Sequence, residues 1–95
     1  MNAREFDRGY HAGWKNLTAY RLGDSYTIPG RDKTDDYLMG FAGGMMAADA
    51  YWNGWEDGLA GRRVARKDKG FEHEYWRGYQ IGVQYRHEDE ARHAA

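Results

Sequence analysis

Four copies of one nine-residue pattern run through this chain: an aromatic, two free positions, Gly, an aromatic, two free positions, Gly and an apolar residue. They read Phe6-Gly9-Tyr10-Gly13-Trp14, Tyr37-Gly40-Phe41-Gly44-Met45, Tyr51-Gly54-Trp55-Gly58-Leu59 and Tyr75-Gly78-Tyr79-Gly82-Val83. Eight of the thirteen glycines lie in these copies, always four apart, a spacing that belongs to helices and not to turns. At roughly 100° per residue, the two aromatics and the last apolar residue fall at about 0°, 40° and 80° on a helical wheel, and the glycines at about −60° and −20°. One face of each helix therefore carries a ridge of large side chains beside a groove with none. A Gly inside a helix is about 1 kcal/mol less favourable than Ala, so the pattern needs a tertiary contact that offsets it. The contact expected is a second helix seated directly on the bare backbone of the groove, as small residues four apart allow.

The spacing predicts an all-α fold, a small bundle of three or four helices packed through Gly-xxx-Gly grooves and aromatic ridges, as a single helical domain over residues 1–95. Fifteen aromatic residues supply the burial that aliphatics usually give, whereas only two Val and two Ile are present and no alternating β-branched run suggests a sheet. A first helix is expected over residues 3–16, running on through Tyr20. An irregular loop follows at Gly23-Asp24-Ser25-Tyr26-Thr27-Ile28-Pro29-Gly30-Arg31-Asp32, pinned by Tyr26 and Ile28. Thr34 is placed to cap a second helix, with Asp35 and Asp36 complementing its positive end. Copies two and three start fourteen residues apart, so one helix over residues 35–63 accommodates both, with a break at Gly43-Gly44 as the rival. The last helix is expected over residues 71–91.

Chemistry has little to work with. There is no Cys, which removes disulfides, thiolate zinc sites and thiol nucleophiles together and suits a reducing compartment. His87 and His93 are six apart, where a shared zinc face needs four. His73 sits between Glu72 and Glu74 as helix-start charge, and His11 holds a free position of copy one. Ser25 is the only Ser and lies in the loop, with no His and acid tied to it. Asp35, Asp36, Asp49, Glu56 and Asp57 are read as solvated carboxylates on the outer side of the second helix. The expectation is a protein that is not an enzyme and uses no cofactor or metal. No signal peptide or apolar span is evident, so an unprocessed cytoplasmic protein without a membrane partner is expected.

Charge is local. The net value is −1, yet residues 62–69 alone sum to +4. Arg62, Arg63, Arg66, Lys67 and Lys69 form a patch at the end of the second helix that suits phosphates, or that complements the helix dipole. Trp52 and Trp76, each beside a repeat aromatic and turned about 100° from it, are read as exposed rings able to stack on bases, to anchor a protein interface or to complete a second packed face.

The segment Gly54-Trp55-Glu56-Asp57-Gly58-Leu59-Ala60-Gly61-Arg62 resembles the ribosome modulation factor family, and Gly9-Tyr10-His11-Ala12-Gly13 and Gly78-Tyr79-Gln80-Ile81-Gly82 echo the same core. The resemblance implies a small helical RNA-binding regulator of the ribosome, with Arg62, Arg63 and Arg66 touching RNA. This chain lacks the family's Cys-Pro-Tyr linker element and its strong positive charge. Two other expectations stand beside that one. The first is a phage or mobile-element inhibitor that occludes a host protein complex, such as an anti-CRISPR protein. The second is a homodimer that uses a leftover glycine and aromatic face.

Overall fold

The computed structural model describes residues 1–64 and 69–94, and the fold over them is all-helical. Its helices are α1 (Ala3–Arg21), α2 (Asp35–Leu59) and α3 (Glu72–Ala94), with no strand among the described residues. Local capping explains where they start. The Asn2 side chain accepts the Glu5 amide of α1 at 3.2 Å, and Thr34 Oγ1 accepts the Tyr37 amide of α2 at 3.2 Å, with Asp35 and Asp36 in the first turn.

The ends of α1 and α2 are set by one device. Gly23 takes φ 81° and Gly61 φ 71°, the left-handed conformation that glycine adopts without strain. Behind each, paired hydrogen bonds close the last turn: Gly23 N to Tyr20 O and Asp24 N to Ala19 O, then Gly61 N to Gly58 O and Arg62 N to Asp57 O. This is the Schellman closure. It takes α1 on to Arg21, past residue 16, and it stops α2 at Leu59, four residues short of the expected 63. The adjacent glycines Gly43 and Gly44 do not break α2, which runs through them.

The chain divides into two compact units, Met1–Asp49 and Ala50–Ala95. In the first, copies one and two interlock. A Cβ built on Gly9 would lie 2.0 Å from the Tyr37 carbonyl oxygen, and one on Gly13 would lie 2.1 Å from that of Phe41. Reciprocally, Gly40 faces the Phe6 oxygen and Gly44 the Tyr10 oxygen, each at 2.0 Å. Residue numbers rise together on both sides, so α1 and the first part of α2 run in the same direction. The connection over residues 22–34 must then retrace α1 from Arg21 nearly to its start, where Asp36 accepts the Asn2 amide, roughly 27 Å of helix and within the reach of an extended chain of that length. Thr27 fastens it, its amide donating to Asn16 Oδ1 at 2.8 Å, and Tyr26 packs edge-on against Tyr20 at 5.3 Å. Ile28 does not pin the loop: it is 75% exposed.

The second unit repeats the arrangement with copies three and four. Gly54 faces the Tyr75 oxygen at 2.0 Å, Gly58 that of Tyr79 at 2.2 Å, Gly78 that of Tyr51 at 1.9 Å and Gly82 that of Trp55 at 2.2 Å. All eight repeat glycines thus face backbone of the same chain. Only hydrogen fits between such backbones. Each resulting Cα–H to oxygen contact contributes about 0.5–1 kcal/mol, the same order as the propensity deficit of each glycine. The aromatics stand beside these contacts as stacked ridges, Phe6 on Tyr10 and Tyr10 on Trp14 at 6.5 Å, and Tyr75 on Tyr79 at 6.2 Å. Leu17, Phe41, Ala47, Ala48, Ala50 and Tyr75 are the buried hydrophobic residues.

Candidate nucleic-acid interface

The site is built at the turn after α2. After the Gly61 closure, Arg62, Arg63 and Val64 follow the helix outside any regular element, all exposed, and Lys69 and Gly70 lead into α3. Arg66 and Lys67 lie outside the described residues. The last turn of α2 holds no basic residue, so Arg62 and Arg63 do not serve as dipole-complementing side chains inside that helix. The cation set against this end is Arg86 of α3, which the pattern of residues did not reveal: a Cβ on Gly61 would meet its guanidinium.

Asp57 organises the turn. Its carboxylate accepts the Tyr75 hydroxyl and pairs with Arg62 Nε at 3.0 Å, while its carbonyl receives the Arg62 amide. With its side chain 19% exposed, it is not the solvated outward carboxylate expected of it. The reason is tertiary: Tyr75 comes from copy four, whose position against copy three could not be read from spacing alone. The other face of the turn is held by Tyr79, whose hydroxyl donates to the Arg62 carbonyl at 2.8 Å. Arg62 is therefore fixed at amide, carbonyl and guanidinium, yet its side chain remains 60% exposed. Arg63 and Lys69 are exposed on either side of the undescribed stretch.

Trp76 and Trp52 part company. Trp76 is 47% exposed and lies nearly parallel to Tyr79, with ring centroids 5.8 Å apart and an angle of 10°. The same Tyr79 that anchors Arg62 thus places an exposed indole beside the turn. Trp52 is half-buried, edge-on to Tyr51 at 5.1 Å and to Trp55 at 5.7 Å, so it completes a packed aromatic cluster. Its expected exposure fails because Trp55 and its neighbours occupy that side of the helix.

At the start of α3, Glu72 accepts the Gly70 amide at 3.0 Å. Its carboxyl is held below the ordinary value of 4.5 by its own backbone amide first, then by the Gly70 amide, with the charge of Lys69 adding to both. Asp35 and Glu56 are exposed, and two other carboxylates of α2 make contacts to α1. Asp49 pairs with Arg21 at 3.1 Å, and Asp36 accepts the Asn2 amide at 2.7 Å. His93 Nδ1 lies 2.8 Å from the Asp89 carbonyl, and His11, His73 and His87 are exposed. Among the described residues no group of three His, Cys, Asp or Glu is placed to hold a metal ion, and no helix is long and apolar enough to cross a membrane.

In comparisons with protein-family models, curated proteins and solved structures, nothing matches this chain.

Proposed function

We propose that the protein is a small regulatory binding protein of the cytoplasm that docks on RNA or a ribonucleoprotein through the cationic turn between α2 and α3, acting by occupancy and without turnover. The observation that carries this reading is the turn itself. Arg62, held by Asp57 and Tyr79, is exposed together with Arg63 and Lys69, within a segment of net charge +4 in a chain of net charge −1. Concentrated, exposed cations favour phosphate contact, since each neutralised phosphate releases counterions. The resemblance of Gly54 to Arg62 to the ribosome modulation factor family points to the same partner class.

The test is capture from a bacterial lysate by the tagged native chain, with and without ribonuclease, followed by mass spectrometry and RNA sequencing. Recovery of RNA together with ribosomal proteins, lost on ribonuclease treatment, is the expected result. Recovery of one host protein complex that ribonuclease does not disturb would replace this reading with protein occlusion, as in an anti-CRISPR protein.

A further inference from the structure

From the placement of Trp76 we infer that the RNA taken by this turn is single-stranded at the point of contact, with one unpaired base stacked on the Trp76 indole while Arg63 and Lys69 hold the adjoining phosphates. The inference rests on the proposed RNA reading and adds the strandedness of the ligand and the residue that reads it. A chain of contacts supports it. Arg62 is tied through its carbonyl to the Tyr79 hydroxyl at 2.8 Å, and the Tyr79 ring lies along Trp76 at 5.8 Å and 10°. The Tyr79 side chain therefore touches both the Arg62 carbonyl and the exposed Trp76 ring.

The Trp76 indole is 47% exposed, and it lies against the Tyr79 ring whose hydroxyl is bound to the Arg62 carbonyl. A flat π-surface beside cations is the combination that single-stranded nucleic acid recognises: bases of any sequence stack on the ring, and the backbone lies along the charge. A duplex keeps its bases within its own stack and offers phosphates only, so it gains nothing from Trp76.

The experiment is fluorescence anisotropy with two labelled RNAs of equal length and composition, one unstructured and one annealed to its complement, titrated with the native chain, Trp76→Leu and Trp76→Phe at several salt concentrations. Expected is tighter binding of the single strand by the native chain. Trp76→Leu should then weaken single-strand affinity about tenfold or more, leave duplex affinity unchanged and leave the salt slope unchanged, with most of the affinity kept by Trp76→Phe. Trp76 is exposed, so circular dichroism melts of the three proteins should coincide and show that the loss is one of contact. Equal loss on both RNAs, or no loss on the single strand while native binding persists, overturns the stacked base and leaves the RNA reading standing. Failure of the native chain to bind either RNA overturns both.

Discussion

The carbonyl oxygen of Tyr75 occupies the space that a side chain at Gly54 would need, and the carbonyl of Tyr51 does the same for Gly78 at 1.9 Å. Because the obstacle is backbone on both sides, neither helix can give way without losing its own ladder. Gly54→Ala and Gly78→Ala should each destabilise the protein by about 3 kcal/mol or more, at or beyond the upper end of overpacking effects. Gly43→Ala is the control. A Cβ there meets only the Tyr10 ring edge at 3.8 Å, so helix propensity should win and raise stability by up to about 1 kcal/mol. Urea titrations of the three variants check the ordering, and equal shifts for all would refute the interlocked backbones.

That contrast between neighbouring glycines also marks how far the residues could be read. Spacing alone gave the helices, their faces and the notch role of the repeat glycines. It did not give which copy meets which, because copies two and three share α2 and could each have taken either neighbour. Nor did it show that paired helices run in the same direction, a consequence of linkers long enough to turn back along the preceding helix. The left-handed closures at Gly23 and Gly61 were present as small-residue signals but were absorbed into a loop and a longer helix. Spacing does not carry the environments of Asp57 and Arg86, because each meets a partner on another helix, Tyr75 for the first and the Gly61 turn for the second.

Continuity of α2 across Gly43 and Gly44 has its own measurement. Gly44 is clamped on the Tyr10 carbonyl, and the ladder passes through both residues. Amide exchange should therefore be as slow at these two positions as in the turns on either side. Fast exchange confined to them would mean two helices in place of one.

Asp57 joins copy four to the turn through the Tyr75 hydroxyl and the Arg62 guanidinium. Asp57→Ala takes this acceptor from the buried Tyr75 phenol and from the Arg62 guanidinium, and should lower stability by about 1–3 kcal/mol. Tyr75→Phe removes only one of the two bonds and should have a smaller effect. A double variant no worse than Asp57→Ala alone would show that the phenol acts through this carboxylate.

Glu72 gives a pH signature. Its carboxyl lies below the ordinary value of 4.5 in the folded chain, so its contribution to stability is complete above that value and disappears as pH falls through the lowered one. Glu72→Gln should therefore be less stable than the native chain at neutral pH, with the gap narrowing as pH falls below 4.5 and closing below the lowered value. A gap that persists unchanged in acid would assign the effect to packing or helix propensity.

The cationic turn allows structural and recognition roles to be separated residue by residue. Arg62 is bound to Asp57, so Arg62→Gln should cause a measurable loss of stability together with any loss of RNA affinity. Arg63 and Lys69 are exposed, so Arg63→Gln with Lys69→Gln should melt like the native chain. If both contact phosphates of a single strand, the slope of log affinity against log salt should shrink by about 0.7 for each lost contact, roughly 1.4 for the pair. The decline should be similar across RNA sequences, since phosphates carry no base identity. A slope that stays at its native value in the double variant, with affinity intact, would mean that these cations only flank the turn, and the partner surface would then have to be sought away from it.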